Sequence, residues 1–132
     1  MPLEIAICED EKQQLAYLEQ LVNTWLKTNS FKARVSTFNS AEAFSFAWCE
    51  DRRFDIFLLD IQMPGQNGIE LARQLRADHD DLVIIFITAL PDYIQEGYDV
   101  AALHYLMKPI KEYKLYEVLD RAVERLKLAE RS

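Results

Sequence analysis

Phe54-Asp55-Ile56-Phe57-Leu58-Leu59-Asp60 is an apolar run that ends on a carboxylate. Its core, Ile56 to Leu59, is continuous rather than alternating, as is the later run Leu82-Val83-Ile84-Ile85-Phe86-Ile87. A strand covered on both faces has no wet side to mark with polar residues, so such runs point to central strands of a parallel sheet. An earlier run, Leu3-Glu4-Ile5-Ala6-Ile7-Cys8, ends on Glu9 and Asp10. If the first and third runs are neighbouring parallel strands, Glu9, Asp10 and Asp60 meet at one end of one sheet. Three carboxylates so placed are costly unless a cation, a proton or a phosphoryl-binding role justifies them.

Outward from these runs, strand-like and helix-like segments alternate along the whole chain. Leu15, Leu18, Val22, Trp25 and Leu26 recur at three- and four-residue spacing and predict an amphipathic helix ending near Asn29. Phe31, Ala33 and Val35 alternate with Lys32, Arg34 and Ser36, the pattern of a strand with one wet face or an exposed edge. Asn39 and Glu42 resemble an N-cap and its reciprocal partner for a second helix buried through Phe44, Ala47 and Trp48. Gly68 precedes a third helix carrying Ile69, Leu71, Ala72 and Leu75, while Asp51-Arg52-Arg53 and Asp78-His79-Asp80-Asp81 read as polar loops. Pro91 suits the first turn of a short fourth helix that Gly97 weakens. Leu103 to Met107 predict the fifth strand, halted by Lys108-Pro109 because proline cannot donate to a ladder. A last helix follows on Leu115, Leu119, Ala122, Val123 and Leu126.

Five strand-helix repeats with edge-like second and fifth strands predict an α/β fold, a doubly wound parallel sheet of order 2-1-3-4-5. In that order the connections diverge at strands one and three, and ligands bind beyond their carboxyl ends. Glu9, Asp10 and Asp60 fall at that crevice.

At 132 residues and 50% hydrophobic content the chain suits one domain with one core. A net charge of −7 argues against nucleic-acid binding by this chain alone, since that affinity rests on Lys and Arg neutralising phosphates. Glu4, Glu9, Asp10 and Glu11 interrupt the N-terminus, so no signal peptide or long apolar span is read there, and the expectation is a cytoplasmic protein without membrane contact. Cys8 and Cys49 form no metal or redox motif and read as small buried hydrophobes.

Each crevice residue has a plain alternative. Asp10, three residues before Gln13, suits a helix cap. Asp60 suits a turn heading the stretch Met63-Pro64-Gly65-Gln66-Asn67-Gly68. Thr88 is ordinary at a strand end, and Lys108 suits a solvated surface. Independent explanations of that kind predict no convergence, yet every central strand delivers an oxygen-bearing side chain to its carboxyl end and the fifth delivers an ammonium. Three carboxylates suit Mg²⁺, a hard cation that prefers carboxylates plus phosphate oxygens. One of them can then attack a phosphoryl group, with Lys108 and Thr88 offsetting the phosphoryl charge.

With Glu9-Asp10, Leu58-Leu59-Asp60-Ile61-Gln62-Met63-Pro64-Gly65-Gln66-Asn67-Gly68, Thr88-Ala89, Tyr105 and Lys108-Pro109 in place, the chain resembles a response-regulator receiver domain of two-component signalling. The likeness covers about residues 3 to 127. It implies a flavodoxin-like (βα)5 fold, with residues 1–127 as the receiver and 128–132 as a helix end or the start of a linker. It further implies that Asp60 accepts phosphate from a sensor histidine kinase. Asp10 and Asp60 would ligate Mg²⁺ directly, Glu9 through water, and Gln62 through its backbone carbonyl. Thr88 and Tyr105 would form the switch, and the Lys108-Pro109 bond would be cis. Such a domain is not an enzyme beyond its own phosphorylation and dephosphorylation.

The wording from Leu90-Pro91-Asp92-Tyr93 to Met107-Lys108-Pro109-Ile110 is similar to receivers of LytTR-type transcriptional regulators, which implies transcriptional output through a DNA-binding domain absent from this chain. The alternative is a stand-alone or pseudo-receiver module acting by protein contacts. The family's usual dimer surface is the fourth helix, fifth strand and last helix, where Tyr93, Tyr98, Tyr113 and Tyr116 gather aromatics. Gln62 is larger than the Asn frequent at its position and Leu90 is apolar, so both border the path of attacking water and imply a phosphorylated state that is not short-lived. An aspartyl-nucleophile phosphatase would need an acid two residues after Asp60, where Gln62 stands. A flavodoxin-like cofactor binder would need a first loop that cradles phosphate, and Glu9-Asp10-Glu11 would repel it.

Overall fold

The computed structural model describes residues 3–50, 54–78 and 82–130. Asp51-Arg52-Arg53, the stretch His79-Asp80-Asp81 and the side chains of Cys49 and Tyr98 lie outside the described residues.

Strands β1 (Leu3–Cys8), β2 (Ala33–Phe38), β3 (Ile56–Asp60), β4 (Val83–Thr88) and β5 (His104–Met107) alternate with helices α1 (Lys12–Thr28), α2 (Ala41–Glu50), α3 (Gly68–Asp78), α4 (Ile94–Asp99) and α5 (Glu112–Glu130). The sheet order is β2-β1-β3-β4-β5 and every pairing is parallel, as the apolar runs predict. The register sets Cys8 beside Leu59 and Asp60 beside Ile87, so the carboxyl ends of β1, β3 and β4 come out level. That alignment, rather than any local motif, brings distant acids together.

Period-two alternation sends successive strand residues into two separate cores. Ile5, Ile7, Ile56, Leu58, Val83, Ile85 and Ile87 pack with Leu18, Val22 and Trp25 of α1 and with Leu115, Leu119 and Ala122 of α5. Ala6, Cys8, Phe57, Leu59, Ile84 and Phe86 pack with Phe44 and Trp48 of α2 and with Ile69, Ala72 and Leu75 of α3. β3 and β4 are buried at every position, which is why their sequences carry no polar alternation. On the second face Phe38, Phe44, Trp48, Phe54 and Phe57 form an aromatic cluster, with the Phe38 and Phe44 rings edge-to-face at 5.1 Å. Across the first core Trp25 Nε1 donates to Asp120 Oδ1 at 2.9 Å and ties α1 to α5.

Three local expectations shift. The second helix is capped by Ser40, whose hydroxyl accepts from Ala43 N at 3.0 Å, and not by Asn39. Because the helix begins at Ala41, Ser40 is the half-helical residue whose oxygen reaches the third amide. Pro91 opens a 3-10 turn over Pro91–Tyr93, and α4 proper starts at Ile94. Leu103 N still donates to Ile84 O at 2.8 Å, so the ladder begins one residue before the regular strand.

Candidate functional site

Beyond the carboxyl ends of β1 and β3, Glu9, Asp10 and Asp60 each offer an oxygen within 4.8 Å of the others. Glu9 is wholly buried and Asp60 is 4% exposed, whereas Asp10 faces solvent. Helix α1 begins on Glu11 with no side-chain cap, so Asp10 is not its cap. Glu9 Oε2 instead accepts from Glu11 N at 3.2 Å, which fixes the turn out of β1. Asp60 Oδ1 accepts from Gln62 N at 3.3 Å, a turn contact that leaves Oδ2 for other partners.

Lys108 enters from the far side, after β5. Its Nζ lies 2.6 Å from Glu9 Oε1 and 3.5 Å from Asp60 Oδ2. The Lys108-Pro109 peptide is cis, as the likeness implies. Lys108 N donates to Thr88 O at 2.7 Å, and Tyr17 of α1 donates its hydroxyl to Ile110 O at 3.2 Å, so both sides of this loop are held. Lys108 is therefore no solvated surface lysine.

Thr88 is wholly buried, and its Oγ1 accepts from Leu90 N at 3.2 Å. The half-buried Tyr105 ring lies against Phe86 with centroids 6.4 Å apart, and its hydroxyl donates to the Leu90 carbonyl. Thr88 and Tyr105 thus both bond Leu90, Thr88 at its amide and Tyr105 at its carbonyl.

The charges are unequal. Burial, then the neighbouring Glu9, raise the Asp60 pKa to about 7. For Glu9, burial pushes upward, but Lys108 together with hydrogen bonds from Asp60 and Glu11 N holds it below the usual carboxylate range. Partial burial and Glu9 raise Asp10. Lys108 rises because its two carboxylate partners outweigh burial. Glu9 is the permanent anion, Lys108 its counter-ion, and Asp60 the group that binds a proton near neutrality. A carboxylate set that retains a proton for want of positive charge fits a hard divalent cation, which replaces that proton and tolerates an ordered water on its open side.

Two contributions to this geometry are absent from the motif reading. A Cβ added at Gly68 would lie 2.3 Å from the Asp60 carbonyl oxygen, so the start of α3 packs directly on the backbone of Asp60. Only the spacing of Gly68 after Asp60 hints at it. Glu42 reaches from α2 to Gln66 N at 3.1 Å instead of capping its own helix. Cys8, a buried free thiol as expected, sits behind the acids, and burial and then Asp60 push it up to about 12. His104 is half-buried on β5, where burial and then Arg121 and Lys114 lower its pKa.

Among the described residues no helix is long and apolar enough to cross a membrane. Residues 5–120 match the model of the response regulator receiver domain. The chain is 29% identical over 122 residues to the sensory transduction protein LytT of Bacillus subtilis, covering 90% of this chain and 47% of that protein. It is 31% identical over 126 residues to LytT of Oceanobacillus iheyensis, covering 92% and 48%. The chain spans about half the length of these curated relatives. The response regulatory domain of mrkE from Klebsiella pneumoniae superposes with a TM-score of 0.86 at 23% identity, over 96% of this chain and 99% of that one. The level strand ends, the acid cluster, the cis Lys108-Pro109 bond and the match over residues 5–120 agree: the chain belongs to the response regulator receiver domain family.

Proposed function

We propose that this domain receives a phosphoryl group on Asp60 from the phosphohistidine of a sensor histidine kinase. The observation that carries the reading is the bridging of Glu9 and Asp60 by Lys108 inside a cluster of three acids. An Asp60 carboxylate oxygen attacks phosphorus, the new O–P bond forms as the P–N bond breaks, and the imidazole nitrogen keeps the electron pair and takes a proton from solvent. Asp10 and Asp60 would hold Mg²⁺ directly, Glu9 through water and Gln62 through its backbone carbonyl. When bound, the ion screens the phosphoryl oxygens from the carboxylates. Lys108 supplies a fixed ammonium to the new phosphoryl group, and Thr88 supplies a hydroxyl whose oxygen now accepts from the Leu90 amide.

The readout passes through Leu90. When Thr88 turns toward the phosphoryl group, the Leu90 amide loses its acceptor, and Tyr105, bonded to the Leu90 carbonyl, follows. The receiver is residues 1–127, and 128–132 end the last helix or begin a linker. Output is transcriptional, through a LytTR-type DNA-binding domain outside this chain, in keeping with relatives named as transcriptional regulatory proteins and with a net charge of −7. The domain catalyses only its own phosphorylation and dephosphorylation.

Incubation with Mg²⁺ and acetyl phosphate, followed by intact-mass measurement, tests the reading. One added phosphoryl group that Asp60→Asn abolishes is expected. An unmodified wild-type protein, or an adduct that survives Asp60→Asn, would overturn it.

A further inference from the structure

We infer that Glu42 is a positioning residue: its carboxylate straps the loop after β3 in the shape that presents the Gln62 carbonyl to the metal. The inference rests on the magnesium reading above and concerns a residue of α2 that touches none of the reacting atoms.

The loop from Gln62 to Asn67 has few internal supports. Gly68 N closes its base by donating to Ile61 O at 2.9 Å. Asn67 turns away to cap α3, accepting from Glu70 N at 2.9 Å while its own amide donates to Glu70 Oε1 at 3.1 Å. Between these ends Gln62 N donates to Asp60 Oδ1 at 3.3 Å, Met63 meets Cys8 Sγ at 3.6 Å, a weak contact, and the exposed Gln66 side chain donates to Gln74 Oε1 of α3 at 3.0 Å. The backbone contact from another element is Glu42 Oε1, which accepts from Gln66 N at 3.1 Å. Gly65 is shaped around the same oxygen. Its φ is +80°, and a Cβ there would sit 2.6 Å from Glu42 Oε1. The carboxylate therefore occupies the space a side chain at position 65 would need, and only glycine allows both the contact and the left-handed backbone. The Gln66 amide in turn holds the Glu42 carboxyl below the usual range, as a charge-assisted hydrogen bond does.

Asp60 and Gln62 stand at one end of this loop and Gln66 at the other, so slack at Gln66 shifts the Gln62 carbonyl relative to Asp60. A hydrogen bond explains such an effect, but so does the negative field of Glu42 itself, and the conservative amide separates the two. Glu42→Gln keeps an oxygen acceptor and loses the charge, whereas Glu42→Ala loses both.

The test is Mg²⁺ titration by calorimetry on wild type, Glu42→Ala, Glu42→Gln and Asp60→Asn. Solvent exchange of the Gln66 amide is measured by NMR on the metal-free proteins. Glu42→Ala is expected to weaken Mg²⁺ binding by about threefold or more and to speed Gln66 amide exchange by about tenfold, since the amide loses its acceptor. Glu42→Gln is expected to stay near wild type in both. Wild-type affinity in Glu42→Ala overturns the strap, and so does a Glu42→Gln as weak as Glu42→Ala. Wild-type protein that takes up no Mg²⁺ in an Asp60-dependent way overturns the metal reading, and the role of Glu42 falls with it.

Discussion

Replacing Asp60 by Asn removes the residue on which the proposed function depends, yet the geometry predicts that the fold gains stability. In the folded chain Asp60 is almost completely buried beside the wholly buried Glu9, and its pKa is raised from 3.8 to about 7. A carboxyl whose folded pKa lies above its free value binds its proton more tightly in the native state. Its ionisation therefore costs nothing below about pH 4, costs progressively more as the pH rises toward 7, and stays at its full cost above that. At about 1.4 kcal/mol per pH unit the full cost is about 4 kcal/mol. The amide carries no charge to repel Glu9, though burying its nitrogen takes back on the order of 1 kcal/mol. The net gain is roughly 3 kcal/mol at pH 8, or on the order of 10 °C in melting temperature for a domain of this size.

Thermal and urea melts of both proteins in metal-free buffer at pH 5 and pH 8 provide the assay. The gain is expected to shrink toward pH 5, because wild-type Asp60 is then protonated. Mg²⁺ at ten times its Kd should return about 1.4 kcal/mol to wild type and much less to Asp60→Asn. An Asn variant no more stable than wild type at pH 8, or a difference independent of pH, would refute the reasoning.

Lys108→Met should act in the opposite sense, costing about 2 kcal/mol at pH 7 by leaving the buried Glu9 without its counter-ion. Glu9 has a lowered pKa, so its stabilisation is full above its free value of 4.5 and is lost as the pH falls through the folded pKa, and melts should show a smaller loss at pH 3.5 than at pH 7. Gly68→Ala drives a Cβ to 2.3 Å from the Asp60 carbonyl, and a cost of about 2 kcal/mol or more with loss of acetyl phosphate labelling is expected in denaturant titration and intact mass. Phosphorylated protein in Mg²⁺ should persist for minutes or longer, since Gln62 and Leu90 border the path of water; a half-life of seconds by mass spectrometry would contradict that. Treatment with beryllofluoride should dimerise the domain through α4, β5 and α5, where Tyr113 is 62% and Met107 41% exposed. Sedimentation showing a monomer at high concentration would exclude this surface.

What could be read from the chain without coordinates was whatever is periodic or convergent. Continuous burial of β3 and β4 left an unbroken apolar record, and the strand order followed from which runs alternate. The site was legible because its members stand at strand ends, positions that hydrophobic runs mark within a residue or so. The contacts that miss this logic join residues far apart with no periodic signature. Glu42 looked like half of a capping box because three residues separate it from Asn39, and that spacing says nothing about Gln66 on another loop. Ser40 displaced Asn39 as the cap because helix ends depend on one residue of phase, which tertiary packing decides. Tyr17 is similar: a tyrosine on the rim of α1 is unremarkable until α1 is laid beside the Lys108-Pro109-Ile110 turn.

The position of Lys108 assigns the order in which the site is filled. An ammonium shared equally between two carboxylates would keep both ionised and would leave a cation little to neutralise. Here Nζ lies 2.6 Å from Glu9 and 3.5 Å from Asp60, so the acid it neutralises is Glu9 and not the proposed acceptor Asp60. Asp60, buried beside that pair, keeps its proton near neutral pH and is then a poor nucleophile. Replacing the proton needs positive charge at the open side, where Asp10 is exposed and offers an oxygen within 4.8 Å. On the proposed reading, the same uneven ion pair leaves the Asp60 carboxyl partly protonated near neutral pH, and a divalent ion at its open side would favour the ionised form. On this argument, moving Lys108 closer to Asp60 would weaken the dependence on the metal without improving the fold, since Glu9 would then be the buried charge left unpaired.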